Sequence, residues 1–282
     1  MSSIVGFHVS IEGSIDKAVD RALKLGCNTF QIFTRNPRQW MARALTSEET
    51  KAFTEKVQVN DVKPVFGHMA YLPNLASSRD AVYSRSVTTL TLELERCRQL
   101  EIPYLVIHLG SHLGAGVEFG FTRIVNAIDR AFDLSEGSVT LLLENSAGSG
   151  NSMGSSFEQL EHIMNRLSES ERVGICFDTC HAFAAGYDLR SQKAVEGTLR
   201  AFDTIIGIEK LKLVHLNDSK GDLNSHIDRH QHIGAGRIGD EGFRNVLKSR
   251  LGQLPLILET PKDEKTGDIE NLRKVHALAR EL

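Results

Sequence analysis

YLVIHLGSHLGAGVEFGFTRIVNAIDRAFDLSEGSVTLLLEN, residues Tyr104–Asn145, holds the repeating unit of the chain. The apolar run Tyr104–Ile107 reads as a buried strand that ends on His108. Val117–Phe132 carries apolar residues at helical spacing, and a second apolar run, Leu141–Leu143, ends on Glu144. Two short apolar runs joined by a segment of helical period imply parallel strands with a helical crossover.

The same unit recurs in both directions. Upstream, Val5–Phe7 precedes a helix that starts at Ser14, carries Ile15, Ala18, Val19, Ala22 and Leu23, and stops at Gly26. Strand Thr29–Phe33 pairs with helix Ser47–Val59, and Val65–Gly67 with a helix over Asp80–Leu100 that ends before Pro103. Downstream come helix Ser156–Leu167 and strand Val173–Phe177, helix Ser191–Ile206 and strand Lys212–Val214, then helix Asp240–Lys248 and strand Pro255–Leu258. A last helix covers Asp268–Arg280. Eight β–α units in 282 residues predict an α/β protein, a closed (β/α)8 TIM barrel forming a single domain over residues 1–282. Pattern alone does not show closure, so an open doubly wound sheet stands as the alternative.

Composition narrows the class. Apolar residues make up 41% and charged residues 24%, which excludes disorder, collagen and coiled coil as the main architecture. The apolar runs are too short to span a bilayer, and MSSIVGFHVS at the start lacks the pattern of a signal peptide. A net charge of −3 argues against nucleic-acid binding through bulk charge and leaves room for a local basic groove. Four cysteines with no CxxC pair point to free thiols in a cytoplasmic protein.

A barrel places its active site at the carboxyl ends of the strands. The residues that end the third to eighth apolar runs are His68, His108, Glu144, Asp178, His215 and Glu259. Any one of these alone would be a polar cap on the rim; six together read as metal ligands. Asp178-Thr179-Cys180-His181 adds His181, and Asp228-Arg229-His230 adds two more from the long segment Leu216–Gly239, which shows no regular structure. Nine mixed imidazole and carboxylate candidates exceed what one ion takes and suggest two or three, with zinc the best fit and manganese or iron next. Such clusters suit phosphate-ester hydrolysis and also serve amide hydrolysis.

At these residues the chain resembles the endonuclease IV family of apurinic/apyrimidinic endonucleases. The resemblance runs over the whole chain and rests on VGICFDTCHAFAAGYD (Val173–Asp188), LVHLNDSKGD and DRHQHIGAGRIG within Leu213–Gly239, LLLENSAGSG (Leu141–Gly150), GFHVS (Gly6–Ser10) and IFTRNPRQW (Ile32–Trp40). It implies a zinc-dependent deoxyribonuclease IV, a base-excision-repair enzyme. Such an enzyme hydrolyses the phosphodiester 5′ to an abasic site, leaves a 3′-hydroxyl and a 5′-deoxyribose phosphate, and cleans blocked 3′ ends. Its partner is double-stranded DNA carrying these lesions, with no membrane, and a monomer is expected. By resemblance three Zn2+ bind per chain. His68, His108 and Glu144 would hold one; Glu144, Asp178, His215 and Glu259 the second, with Glu144 as the catalytic bridge; His181, Asp228 and His230 the third. Arg38, Tyr71 and Leu72 match positions that insert into DNA, and Arg229 would contact DNA beside the ligands. Wedges of this kind prise open a base step, which is cheapest where no base is paired.

Two positions depart from the family pattern: Pro73 stands where a larger apolar residue is expected, and Ser149 where glutamine is expected. Arg35, Arg38 and Arg43 lie in Gln31–Ser47 without an acidic residue, a local basic patch that, taken alone, reads as an ordinary solvated loop. Gly148–Gly154 lacks the GK[ST] of a phosphate loop and reads as an active-site loop. Cys176 and Cys180 read as small buried apolar residues, and His8 as a residue supporting a ligand. His112, His162, His226, His232 and His276 read as surface or supporting groups. The rival enzyme class is a sugar isomerase or epimerase on a related metal barrel, which leaves His181, Asp228 and His230 without a purpose. The other rival is a non-catalytic binder of damaged DNA.

Overall fold

The computed structural model describes residues 4–137, 139–262 and 267–280. Among them eight strands close into a parallel barrel: β1 (Val5–His8), β2 (Thr29–Phe33), β3 (Val65–His68), β4 (Tyr104–Ile107), β5 (Thr140–Glu144), β6 (Val173–Asp178), β7 (Leu211–His215) and, after two short strands, β10 (Leu256–Leu258), which returns to pair with β1. The open-sheet alternative is thereby removed. The helices pack outside: α1 (Lys17–Leu25), α2 (Ser47–Asn60), α3 (Asp80–Gln99), α4 (Val117–Asp133), α5 (Phe157–Met164), a short α6 (Thr179–Ala184), α7 (Gln192–Ile205), α8 (Gly239–Lys248) and α9 (Asp268–Arg280). No helix among the described residues is long and apolar enough to cross a membrane.

Local chemistry sets the boundaries. Thr46 and Glu49 form a reciprocal capping box at the start of α2, and Gly26 ends α1 in the left-handed region, at φ 81°. Ser156 caps α5, which stops at Met164, three residues short of the sequence expectation. Asp178 caps α6, a helix that the sequence pattern did not reveal: its side chain accepts a hydrogen bond from the His181 N–H.

Alternation along the strands fixes the site. The barrel interior is filled by Phe66, Val106, Leu142, Cys176, Leu213 and Ile257. Each lies two residues before one of His68, His108, Glu144, Asp178, His215 and Glu259, hence on the same side of its strand. The apolar plug and the polar rim are successive layers of one interior. Between β6 and β7 the register skips Lys212, which sets Leu213 beside Cys176 and His215 beside Asp178. That bulge keeps both ligand candidates pointing inward. Cys176 and Cys180 are buried, and burial pushes both thiols up to about 12, so they serve as apolar filling.

The segment Leu216–Gly239 is more regular than its sequence suggests. Asp218–Ser219 (β8) pairs antiparallel with His230–Gln231 (β9), Ser219 opposite His230. The buried Asp218 carboxylate organises the return of the chain. Its Oδ1 accepts from the Ser219 N–H (2.8 Å) and the Ile238 N–H (3.0 Å), its Oδ2 from those of Gly234 (3.0 Å), Gly236 (2.9 Å) and Gly239 (3.3 Å). A Cβ at Gly236 would lie 2.5 Å from Asp218 Oδ1, so the backbone approaches the carboxylate closely only because glycine is there. Removing this acceptor leaves buried N–H groups unpaired. Asp218→Ala is expected to lose about 2 kcal/mol or more of unfolding free energy in urea titration, with Asp218→Asn intermediate; an alanine variant as stable as the native chain would remove this role.

Candidate metal centre

The rim residues converge. His68, Glu144, Asp178 and His215 are the last residues of β3, β5, β6 and β7, while His108 and Glu259 immediately follow β4 and β10. Glu144 is at the centre. Its Oε2 lies 3.1 Å from His68 Nε2 and 3.5 Å from His108 Nδ1; its Oε1 lies 3.2 Å from His215 Nδ1 and 3.3 Å from His181 Nδ1. His215 Nδ1 also lies 3.4 Å from Glu259 Oε2 and 3.9 Å from Asp178 Oδ2. On the far side, His181 Nε2 is 3.1 Å from Asp228 Oδ1, and His230 Nε2 is 3.6 Å from Asp178 Oδ2.

The second ring nitrogens show how these histidines are aimed. A carbonyl oxygen only accepts, so the nitrogen facing it carries the proton. His68 Nδ1 donates to Met69 O (2.7 Å), His181 Nδ1 to Asn145 O (2.9 Å) and His230 Nδ1 to Glu259 O (3.0 Å). Once each ring is neutral, as a metal ligand must be, Nε2 is left as a lone pair facing carboxylates. His230 Nε2 is buried and has no hydrogen-bond partner. Lone pairs aimed at buried anions, each ring held from behind by a backbone acceptor, are the arrangement of metal ligands. The donor set therefore fits a metal. Ligand atoms gather within 4.8 Å in three groups: His68, Glu144 and His215; Glu144, Asp178, His215 and Glu259; and Asp178, His181 and His230.

The electrostatics agree. Burial alone would push the Glu144 carboxyl up, but the charges of His108 and His215 and two hydrogen bonds hold it well below the ordinary range. Burial likewise opposes ionisation of Glu259, and the charge of His215, with that of His68, outweighs it. Burial works against charge on His181, yet Asp178, Asp228 and Glu144 raise its pKa well above the usual value. His215 is raised against burial by Cys176, Glu259 and Glu144, and His68 is raised against burial by Glu144.

Seven of the nine sequence candidates fall within the three groups. The other two flank them: His108 beside Glu144, and Asp228 beside His181. The division differs in detail from the expected one, since His215 joins the first group and Asp178 the third. A cleft of about 340 Å³ opens over this rim, lined by Tyr71, Pro73, His108, Ser149, His181 and Asp228 among others. Tyr71 is 65% exposed, and Leu72 is partly covered above the buried Pro73. Arg38 is exposed in a turn closed by its N–H on Asn36 Oδ1 (3.0 Å), and Arg229 is exposed beside Asp228. Ser149 donates to the His226 carbonyl and so ties the loop after β5 to the one after β7.

The expected basic patch is reduced. Arg35 is buried against Glu93 (2.7 Å), and Arg43, though exposed, pairs with Glu49, which leaves Arg38 as the exposed arginine of the three outside an ion pair. His112 and His232 are buried rather than superficial, and His232 Nδ1 accepts from Asn271 Nδ2 (3.0 Å). His8 supports a ligand as expected, with Nδ1 3.3 Å from Glu259 Oε1. Sequence reasoning missed three amides. Asn145 Oδ1 accepts from the Asp178 N–H (2.8 Å); Asn217 Nδ2 donates to Asp178 Oδ2 (2.7 Å) and Asn217 Oδ1 accepts from the Glu259 N–H (2.8 Å). The third, Gln31, is wholly buried on β2 and bonds His215, Glu259 and His8. Its one sequence signal is a polar residue at an inward position of the strand TFQIF.

A family model described as a xylose isomerase-like TIM barrel matches residues 19–282. The chain is 54% identical to a protein of Methanoculleus marisnigri named "Probable endonuclease 4", over 98% of this chain and 99% of that one. The crystal structure of endonuclease IV from Thermus thermophilus is similar with a TM-score of 0.88 at 37% identity, covering 99% of both chains. A D-tagatose 3-epimerase-like protein has a TM-score of 0.69 at 20% identity, covering 98% of both, a likeness of fold alone.

Because His181 and His215 hold protons well above the usual imidazole range in the metal-free chain, a divalent metal must displace those protons to bind. Affinity is therefore expected to fall as pH is lowered from about 8 to about 6, by about tenfold per unit for each proton displaced. Calorimetry in buffers of different ionisation enthalpy measures the release; metal uptake independent of pH and buffer would show that these histidines are not ligands.

Proposed function

The chain belongs to the endonuclease IV family, and on that premise we propose that it is a zinc-dependent DNA repair nuclease. It hydrolyses the phosphodiester 5′ to an abasic site, leaving a 3′-hydroxyl and a 5′-deoxyribose phosphate, and clears blocked 3′ ends. The observation that carries the reading is the divided carboxylate of Glu144: one oxygen faces His68 Nε2 and His108 Nδ1, the other His215 Nδ1. A carboxylate so placed would serve two metal positions. The third group, around His181 and His230, gives a place for a third ion, which the epimerase reading of the same barrel leaves unused. When bound, zinc at such a site supplies a hydroxide nucleophile at neutral pH and neutralises charge on the attacking and leaving oxygens.

The chain's own residues supply position. Asn145 and Asn217 lock Asp178, and Asn217 also holds the backbone at Glu259. Asp218 and the β8–β9 pairing carry Asp228 and His230 over the rim. Tyr71, which lines the cleft, enters the opened base step with its neighbour Leu72 and with Arg38 from the loop after β2, while Arg229 contacts backbone phosphate. Selectivity follows from cost: a nucleotide with no base to unstack is the cheapest to extrude.

The test is a duplex with one abasic analogue, incubated with and without chelator. Elemental analysis should give close to three zinc ions per chain, and cleavage should depend on them. Glu144→Gln keeps the shape of the side chain and removes the bridging charge, so cleavage should fall on the order of 10³-fold or more while DNA binding persists. Near-normal cutting by this variant would contradict the assignment.

Arg38→Ala and Tyr71→Ala/Leu72→Ala are expected to weaken binding to intact abasic duplex by about 1–3 kcal/mol, the scale of a lost wedge or stacking contact. The loss should be smaller on a duplex already gapped at the lesion, with zinc content unchanged. Equal losses on both substrates would make these ordinary phosphate or packing contacts.

A further inference from the structure

We infer that Gln31 is a positioning residue of the metal centre: its single amide selects Nδ1 of His215 as the ligating nitrogen and fixes the Glu259 carboxylate beside it. The inference deepens the zinc reading above and rests on it. Gln31 Nε2 lies 2.7 Å from Glu259 Oε1 and 2.9 Å from His8 Nδ1, and Gln31 Oε1 lies 2.9 Å from His215 Nε2. An ionised carboxylate cannot donate a hydrogen bond, so the NH2 end must face Glu259; the reversed amide would set two oxygens against each other at that distance. With the NH2 so placed, Oε1 faces His215 and must accept. The proton of His215 therefore sits on Nε2.

The consequence falls on the other nitrogen. His215 Nδ1 becomes the lone pair, and it is Nδ1 that faces Glu144 Oε1 (3.2 Å), Glu259 Oε2 (3.4 Å) and Asp178 Oδ2 (3.9 Å). A lone pair among three carboxylates is repelled by each of them unless a proton or a metal cation lies between. For His68, His181 and His230 the same choice of nitrogen is made by a backbone carbonyl. His215 is the one ring of the four held from behind by a side chain, so its support can be removed by substitution without moving the backbone. The second hydrogen of the amide goes to His8 Nδ1, which makes His8 an acceptor there. His8 stands 3.3 Å from Glu259 Oε1 and, held as an acceptor, does not compete for that oxygen with a proton of its own. Burial lowers the His8 pKa, in keeping with a neutral ring.

The first measurement is made on the zinc-loaded native protein with 15N-labelled histidine. Long-range proton–nitrogen spectra should show His215 protonated at Nε2 and metal-bound at Nδ1; ligation through Nε2 would overturn the inference without any variant. The second uses Gln31→Leu, close in size and unable to hydrogen-bond, with folding checked by circular dichroism. Competition against a chromophoric chelator should show one zinc ion held 10–100-fold more weakly and the others unchanged, the range for loss of a residue that orients a ligand. Native affinity for every ion in this variant, with an unchanged His215 spectrum, would also overturn the inference. Cleavage of abasic duplex is scored apart. A native chain that binds zinc through His215 Nδ1 and cuts nothing sinks the nuclease reading and supports the role of Gln31. A competent nuclease whose Gln31→Leu variant holds zinc as tightly as the native chain sinks the role of Gln31 alone.

Discussion

Three carboxylates, those of Glu144, Asp178 and Glu259, are crowded around the rings of His68, His181 and His215 at the mouth of a barrel whose interior is otherwise apolar. Negative groups this close repel, and in a poorly hydrated interior they do so strongly. Protons on the histidines relieve the repulsion in the metal-free chain; divalent ions relieve it better, since each carries twice the charge and is bound by several donors at once. Much of the surrounding architecture keeps these groups from turning away. The bulge at Lys212 keeps His215 in phase with Asp178, the asparagines clamp Asp178, and backbone carbonyls hold three rings from behind. A site assembled from hydrated, mobile side chains would relax into solvent instead.

The fold and the ligand candidates were legible because both follow from local pattern. Apolar runs alternate with helical stretches, and the residue that ends a run sits on the rim by the geometry of any parallel barrel. Six ligand candidates came from that rule alone. What the sequence concealed depends on contacts between distant residues. Gln31 is 184 residues from His215, and Asn217 is 42 from Glu259. An amide inside a strand carries no local sign of which charged group it will meet. The burial of Arg35 was hidden for the same reason: Glu93 lies on α3, 58 residues beyond it, and no inspection of the segment alone reveals that the pair is buried together. Asp218 and its ring of glycine N–H groups made a long segment look irregular because the order comes from one side chain rather than from a periodic pattern.

The shared barrel does not decide function. A D-tagatose 3-epimerase-like protein superposes well at 20% identity, so the eight strands and their helices are common property. The groups that bear on function lie on the rim. α6 begins directly at the end of β6 and delivers His181, and the β8–β9 pair delivers His230 with Asp228 beside it. These elements hold the part of the cluster farthest from the barrel axis.

Stability of position therefore differs across the site in a way that suits its tasks. The carboxylates and most of the histidines stand on strand ends, whose backbone is fixed by hydrogen bonds to both neighbours, and chemistry on phosphorus needs that fixity. The exposed Tyr71, Arg38 and Arg229 stand on loops, which lack that fixity. Between these zones lies the link from Ser149 to the His226 carbonyl, which joins two loops two residues from Asp228. The outer loops are thus tied to the ligand group around His181 and Asp228, while the strand-borne groups are held by the barrel. The two zones meet at the one part of the centre that is carried by loop rather than by barrel.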